Sequence, residues 1–454
     1  MIPGAVYYHP DGRWLWITAQ RPTTGMHWDF EQNRQVARFQ YHGRLGPSEV
    51  VYTPEVSLYW GNGGRGEMLE LLNKHFIVYE EPPEWFYHTA WFWLHWWQYR
   101  PGGFDDMAEQ IRFLNGELGL TGFGITAHDL RPGMKDCGTA SLRPSPHLGG
   151  ERGMRKVGET VRELGGHMYI WMPFLGMGEP SSDMKSDWQI RGEDGRPYTG
   201  FSHGSSDTYQ TLNFNHPEVQ EYYLRWIRRY VGEYHVDGIF WDCGGSPLPP
   251  DFSPPDRRAF QRFPAECMVG GYNFMERVMQ EGRAVSEDFF MWHECFSQDL
   301  PGNGYSTNTG FDSFVMELNR SGPNRLVYRS CSAYNLYGGF PFVYPGYDTV
   351  FESPVSIDTY RPLAADPMNR WLVKFVHENG VRQASGIEPG VAVCEGHMVV
   401  DPSREARRIS VPSWAGRPGS ITNVLTGEKS KPESESEAGP VFVVPGGSAY
   451  ELNK

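Results

Sequence analysis

Two acidic residues stand directly after short apolar runs, and this placement marks them as candidates for acid–base chemistry. Asp242 follows Val236-Asp-Gly-Ile-Phe-Trp241, and Glu294 follows Asp288-Phe-Phe-Met-Trp-His293. An unpaired carboxylate at the end of a buried strand is costly as packing, because it loses its hydration. Two carboxylic acids, one ionised and one kept protonated by apolar surroundings, are the minimum equipment for cleaving a glycosidic bond. The two residues therefore fit a nucleophile and an acid/base.

Each acid also has a purely structural interpretation. Asp242 could cap the turn that follows it, and Glu294 could pair with an arginine such as Arg329. Asp312, and after it Asp299, are the reserve candidates for the acid/base. The residue types alone leave these alternatives open.

The elements that must position these acids are predicted from about Trp85 onward, where apolar runs begin to alternate with helical patterns. Strands are predicted at Thr89–Trp97, Gly122–Ala127, His167–Met172, Val236–Trp241 and Asp288–His293. The helices between them have apolar faces that include Met107, Ile111, Leu114 and Leu118, then Met154, Val157, Val161 and Leu164. Further helices are predicted from Asn215 to Gly232, over Tyr272–Gly282 and over Asn369–Glu378. Alternating strands and helices predict an α/β fold, and we expect a (β/α)8 TIM-like barrel.

Polar or aromatic residues end the successive predicted strands. Asp129 follows the second strand, Trp171 lies in the third, and Asp242 and Glu294 follow the fourth and fifth. In a barrel the carboxyl ends of the strands converge on one site. Aromatic residues make up 15% of the chain, with 16 Trp and 24 Tyr, and flat rings beside carboxylates suit a sugar. We therefore expect a carbohydrate partner.

Two β-rich regions are predicted to flank the barrel, which gives three domains. Residues 1–82 are predicted as an N-terminal β-sandwich region, 83–383 as the catalytic barrel and 384–454 as a small C-terminal β-domain. The first region has strand patterns at Trp14–Thr18, Val36–Tyr41 and Glu49–Trp60 and one helix at Gly66–Phe76. The last has strand patterns at Val391–Val393, Ile409–Pro412 and Pro440–Val444.

Composition and charge exclude several classes of function. The formal net charge of −14 argues against a nucleic-acid or anionic-membrane partner. No apolar stretch reaches membrane-spanning length, and the start of the chain lacks a signal-peptide pattern, so we expect a cytoplasmic protein. The six cysteines lie far apart without a C-x-x-C motif, which indicates free thiols in a reducing compartment.

No cofactor or metal is predicted. His128, Asp129, His203 and Asp207 lack the spacing of known metal motifs. The chain contains no G-x-S-x-G sequence and no phosphate-binding loop.

The string Val236-Asp-Gly-Ile-Phe-Trp-Asp242 resembles the nucleophile strand of retaining α-glycosidases. These include the melibiase-type α-galactosidases, the α-glucosidase/α-xylosidase family and the endo-α-N-acetylgalactosaminidases, in which a hydrophobic fourth strand ends in the nucleophilic Asp. The order of sandwich, barrel and small β-domain is also similar to theirs. The resemblance implies a retaining α-glycoside hydrolase, α-galactosidase-like or α-N-acetylgalactosaminidase-like. Asp242 would then form a covalent glycosyl-enzyme, and Glu294 would act as acid and then as base.

The chain departs from the melibiase pattern in two places. Those enzymes carry a Lys two residues before the nucleophile, where this chain has Phe240, and they take their acid/base from the sixth strand. A fifth-strand Glu294 is closer to the endo-α-N-acetylgalactosaminidase arrangement, with Asp312 as the second choice. The resemblance implies that Asp129 binds substrate hydroxyls.

The other expected substrate-binding residues are His128, Trp171, Trp241, His293, Arg329 and Asp312. Trp171 and Trp241 would be sugar platforms unless they belong to the core. Two other functions stay open: a non-catalytic carbohydrate-binding relative, and a lyase or epimerase that uses Asp242 or His128 as base.

Overall fold

The computed structural model describes a large part of the chain. The described residues are 4–9, 11–19, 26–31, 34–39, 47–48, 50, 56–62, 83–94, 102–130, 139–173, 176–178, 183–198, 209–242, 248–254, 256–257, 267–293, 342–343, 357–380, 384–388, 391–400 and 406–454. The predicted helix Gly66–Phe76 lies outside these residues, as do the predicted site residues Glu294, Asp299, Asp312 and Arg329. No helix among the described residues is long and apolar enough to cross a membrane.

The amino-terminal region is antiparallel. Its strands are β1 (Gly4–Tyr8), β2 (Trp14–Ala19), β3 (Met26–Glu31), β4 (Arg34–Phe39) and β5 (Val56–Gly61). The order β1-β2-β5 forms a three-stranded sheet, and β3 pairs with β4 as a hairpin. Each strand pattern predicted in this region overlaps a strand of the structure.

The central region alternates strands and helices. The strands are β6 (Trp91–Leu94), β7 (Gly122–Ile125), β8 (His128–Leu130), β9 (Thr139–Pro144), β10 (His167–Pro173), β11 (Gly176–Gly178), β12 (Tyr209–Thr211), β13 (Gly238–Asp242), β14 (Phe290–His293) and β15 (Phe342–Val343). The helices are α1 (Glu84–Tyr87), α2 (Gly103–Leu118), α3 (Gly150–Glu163), α4 (Pro217–Tyr234), α5 (Cys267–Val285), α6 (Ile357–Ala365) and α7 (Pro367–Asn379).

Six of these strands form one parallel sheet in the order β14-β13-β10-β7-β6-β15. A helix connects each successive pair from β6 to β14, so the predicted α/β fold with parallel strands is confirmed. β15 follows β14 in the chain but pairs with β6, the first strand of the sheet. Of these six strands, the last in the chain therefore lies beside the first.

The two faces of the parallel sheet carry different side chains. One face packs against the helices through buried residues such as Phe92, Phe123 and Ile239, and the apolar faces predicted for α2 and α3 belong to this core. The other face is aromatic, with ring centroids 5.4 Å apart for Trp91 and Tyr169, and 6.4 Å apart for Tyr169 and Phe240.

Glycines make room for these rings on the aromatic face. A methyl group at Gly124 would overlap the Tyr169 ring, and one at Gly238 would overlap the Phe290 ring. Because both positions are glycine, the large rings fit between neighbouring strands.

Helix α1 closes the amino-terminal end of the sheet. Trp85 stacks on His167, the first residue of β10, with centroids 3.6 Å apart, and its indole N–H donates to Asp288 at 3.3 Å. Phe86 packs edge-on against Phe290, the first residue of β14, with centroids 4.9 Å apart. This end of the sheet is therefore filled by side chains.

The ends of α4 differ from the prediction. The helix was predicted to begin at Asn215 but begins at Pro217, with His216 as the capping residue, whose Nδ1 accepts a hydrogen bond from the Glu218 amide at 3.2 Å. The helix does not stop at Gly232 but continues to Tyr234, and His235 then adopts a left-handed conformation with φ of 55°. The fully buried Tyr234 ring explains the extra residues, because it holds the last turn against the core.

The carboxyl-terminal region has its own hydrophobic core. Its strands are β16 (Ala384–Glu388), β17 (Val391–Cys394), β18 (His397–Val400), β19 (Arg407–Ser410), β20 (Ser420–Asn423), β21 (Lys429–Ser430), β22 (Ser434–Glu435), β23 (Pro440–Val444) and β24 (Ala449–Asn453). They form two antiparallel sheets, β16-β17-β18-β24-β20-β21 and β19-β23-β22. The three strands predicted here correspond to β17, β19 and β23.

Candidate active site

Asp242 is the last residue of β13, at the carboxyl end of the parallel sheet. It pairs in register with Pro173 of β10, and Trp241 beside it pairs with His293, the last residue of β14. Glu294 is the next residue in the chain and lies outside the described residues. The backbone thus brings Asp242 and the end of β14 onto neighbouring strands.

Trp241, predicted as a sugar platform unless it belongs to the core, is a core residue in the structure. Its side chain is fully buried, with ring centroids 6.2 Å from Tyr223 of α4 and 5.9 Å from Phe274 of α5. Successive residues of a strand point to opposite faces, and position 241 falls on the same face as Ile239, which packs against the helices.

The strand ends beside Asp242 are held by α4. The Tyr223 hydroxyl donates a hydrogen bond to the carbonyl of Pro173 at 3.2 Å. Its ring also contacts Trp241, so one side chain touches both β10 and β13 next to Asp242. Burial raises the pKa of Tyr223, which keeps the hydroxyl protonated as a donor. Tyr223 lies within the helix predicted from Asn215 to Gly232, but no local pattern indicates its contact with β10.

His128, which was predicted to bind substrate, is buried in the structure. Its Nε2–H donates to the Trp171 carbonyl at 2.6 Å, and its Nδ1 lies 3.1 Å from the Tyr230 hydroxyl. Burial lowers the pKa of His128 to about 4, so the ring is neutral at ordinary pH. Both nitrogens are engaged, and the residue ties β8 to β10 and α4.

Trp171, predicted as a sugar platform unless it belongs to the core, is also buried, with 2% of its surface exposed. Its ring centroid lies 6.2 Å from that of His128. The indole is enclosed at the end of β10, where it packs instead of presenting a flat face to solvent.

Asp129 is partly exposed in β8 and lies close to a group of charges. The pKa of Asp129 is raised above its ordinary value, mainly by burial and also by the charge of Asp183. The charges of His147 and Arg143 oppose this rise. Among the predicted substrate ligands whose side chains are described, Asp129 is the one that keeps access to solvent. His293 ends β14, and its side chain lies outside the described set.

A polar cluster around Asp183 was not predicted from the sequence. The Asp183 carboxylate accepts hydrogen bonds from Ser141 at 2.9 Å, Tyr222 at 2.9 Å and Arg143 at 2.8 Å. These contacts fix the β8–β9 ribbon, which carries Asp129, to the segment after β10 and to α4. The partners lie about 40 positions apart, so no local pattern could have found them.

A second buried carboxylate anchors the chain that follows β13. Asp251, 1% exposed, accepts hydrogen bonds from the Asn213 side chain at 2.8 Å and from the Arg191 amide at 3.1 Å. In the described part of the chain no group of three or more His, Cys, Asp or Glu residues could hold a metal ion.

Comparisons with known proteins give structural neighbours only. No protein-family profile and no curated protein sequence matches the chain. The chain is similar to the α-galactosidase from Lactobacillus brevis, with 13% identity and a TM-score of 0.58 over 98% of this chain and 65% of that one. It is similar to a cycloalternan-degrading enzyme from Trueperella pyogenes, with 12% identity and a TM-score of 0.58 over 100% and 70%.

A third neighbour is a noncanonic maltogenic α-amylase from Thermotoga neapolitana, with 14% identity and a TM-score of 0.52 over 81% of this chain and 99% of that one. The chain spans less than two thirds of the length of the α-galactosidase. Such low identities show the fold alone. The chain therefore shares an α/β fold with these three enzymes.

Proposed function

We propose that the chain is a glycoside hydrolase that cleaves an α-glycosidic bond with retention of configuration, with Asp242 as nucleophile and Glu294 as acid/base. The observation that carries the proposal is the place of Asp242 at the carboxyl end of a strand in a parallel sheet. Barrel enzymes present their catalytic groups at this end. The fold shared with an α-galactosidase, a cycloalternan-degrading enzyme and an α-amylase supports the substrate class.

The sheet would close as a (β/α)8 barrel. The pairing of β15 with β6 supports this, because a barrel forms when the last strand returns to the first. The aromatic packing at the amino-terminal end also supports a site at the other end.

The strand register favours a retaining mechanism. Trp241 pairs with His293, and Asp242 and Glu294 each come next in the sequence after one member of this pair. Neighbouring strands lie about 4.8 Å apart. Retaining glycosidases hold their two carboxyl groups about 5–5.5 Å apart, whereas inverting enzymes need about 6.5–9.5 Å to admit a water molecule. Two carboxyl groups that follow paired residues on adjacent strands would suit the shorter distance of a retaining enzyme.

The reaction would proceed in two displacements. The Asp242 carboxylate attacks the anomeric carbon while Glu294 gives its proton to the departing glycosidic oxygen, which forms a glycosyl ester and releases the aglycone. Glu294, now ionised, removes a proton from water, and that water displaces Asp242 from the anomeric carbon. The sugar leaves with its original configuration, and both acids return to their starting states.

The surroundings of His128 argue against the lyase or epimerase alternative that uses this residue as base. A base must reach the proton that it abstracts. The His128 ring is 1% exposed and already bonded at both nitrogens.

The proposal is tested by turnover of a panel of aryl α- and β-glycosides. Asp242→Asn and Glu294→Gln should each lower kcat by about 10²–10⁴-fold, and azide should restore part of the rate of Asp242→Asn. Asp237→Asn, at the amino end of the strand that carries Asp242, and Glu287→Gln, in the turn before β14, are matched controls that should keep the wild-type rate.

Two results would contradict the proposal. Near wild-type turnover by Asp242→Asn would remove the nucleophile assignment. Sugar binding by the wild-type protein with no turnover of any glycoside in the panel would favour the non-catalytic relative.

A further inference from the structure

The three-stranded sheet at the amino terminus has one apolar face turned to solvent. Tyr7, Leu15 and Trp60 form one row in register across β1, β2 and β5, and Ile17 pairs with Leu58 in the next row. We call the following residues the apolar face: Tyr7, Leu15, Ile17, Val56, Leu58 and Trp60.

The exposed fractions of these side chains are large. They are 76% for Trp60, 54% for Leu58, 43% for Val56 and 38% for Tyr7. The other face of the same sheet is packed, since Trp14 and Trp16 are buried and Trp16 stacks on Tyr59 with centroids 4.7 Å apart. An indole as exposed as that of Trp60 is available for contact with a ligand or partner.

We propose that the apolar face, which is separate in the sequence from the residues of the candidate active site, binds a neutral glycan chain. Trp60 and Tyr7 would stack on the C–H faces of successive sugar units. The two strands that carry them are separated by one strand, so the rings stand on the order of 10 Å apart. None of the six side chains is charged, which fits a neutral glycan and not an anionic one. The choice of glycan as ligand rests on the proposed function.

The size of the apolar face argues against a second copy of the chain as occupant. A large aromatic side chain offers about 150–250 Å². Two partly exposed rings and two partly exposed aliphatic side chains therefore offer on the order of several hundred Å². A standard protein interface needs about 800 Å² from each partner. The patch is small for a stable dimer and adequate for a few sugar units.

The inference is tested by affinity electrophoresis of the full chain in gels that contain soluble starch, galactomannan or arabinoxylan. At least one polysaccharide should retard the wild-type protein. Trp60→Ala should weaken the retardation about tenfold, because it removes the stacking ring. Leu58→Ala is the matched control: it removes an exposed apolar side chain from the same face but no ring, and should change binding less than about twofold. Both side chains are exposed, so both variants should fold and keep wild-type turnover of aryl glycosides.

Several outcomes would overturn the inference. The inference fails if no polysaccharide retards the wild-type protein. It also fails if Trp60→Ala and Leu58→Ala lose retardation equally. A concentration-dependent dimer that both substitutions dissociate would assign the apolar face to a second copy. If binding fails while aryl glycosides are turned over, the proposed function stands without this site. If binding succeeds without turnover, the site stands and the proposed function fails.

Discussion

The His128 ring is enclosed between β8, β10 and α4. The Tyr230 hydroxyl lies 3.1 Å from its Nδ1 and 2.9 Å from the Leu142 carbonyl oxygen, so its single proton can serve either acceptor. The neutral ring needs only one donor of its own, the Nε2–H that bonds to Trp171. The hydrogen bonds of this one residue therefore hold β8, which also carries Asp129, against β10 and α4.

This burial makes stability depend on pH. The unfolded chain takes up a proton at His128 near the ordinary histidine pKa of about 6.5, whereas burial lowers the pKa in the folded chain to about 4. Between these two pKa values the unfolded state therefore binds more protons than the folded state. The contribution of neutral His128 to the free energy of unfolding is complete above pH 6.5 and is lost as the pH falls from about 6.5 to about 4. The loss between about pH 7 and about pH 5 should reach about 2 kcal/mol in the free energy of unfolding.

Urea unfolding at several pH values checks this expectation. His128→Gln, which does not titrate, should have a shallower pH dependence than the wild type by the same amount. Parallel curves for His128→Gln and the wild type would show that the ring does not titrate as described.

At the scale of elements, α3 and α4 approach each other closely at one glycine. A methyl group at Gly158 would overlap the carbonyl of Tyr234, the last residue of α4. Gly116 is also helical, on the exposed side of α2, and a methyl group there would meet nothing within 4 Å. The two glycines share a conformation but differ in their neighbours.

A comparison of Gly158→Ala with Gly116→Ala distinguishes the effect of steric overlap on stability from the effect of helix propensity. Gly158→Ala should lower the free energy of unfolding by about 3 kcal/mol, since backbone atoms cannot move aside cheaply. Gly116→Ala should raise it by up to about 1 kcal/mol, because alanine is the better helix former. Urea unfolding measures both changes. A neutral Gly158→Ala would mean that α3 and α4 are not in tight contact at this point.

The elements themselves could largely be predicted from the sequence. Burial recurs every three to four residues in a helix, and Met107, Ile111, Leu114 and Leu118 are all buried as that period requires. The orientation of Trp241 could not be predicted in this way. A strand buried on both faces is apolar throughout, so its sequence does not distinguish the helix side from the inner side. The contacts of Asp183 depend on chain crossings that no local pattern contains.

At the scale of the whole molecule, the parallel sheet has two unequal ends. Its amino-terminal end is filled by α1 and an aromatic layer, whereas Asp242 ends β13 at the other. The β8–β9 ribbon and the β11–β12 hairpin follow strand ends on that same side. Acidic residues were predicted from the sequence at the carboxyl ends of the strands, and Asp242 lies there in β13.

The central claim is that Asp242 forms a covalent bond to the sugar. The direct measurement uses Glu294→Gln with the dinitrophenyl α-glycoside of the sugar that the wild-type protein hydrolyses fastest. This leaving group needs no acid, whereas hydrolysis of the intermediate needs the missing base, so the glycosyl-enzyme should accumulate. Mass spectrometry should show one added glycosyl unit, located on the peptide that contains Asp242. Attachment to another carboxylate, or an unmodified variant under conditions where the wild type turns over, would contradict the account.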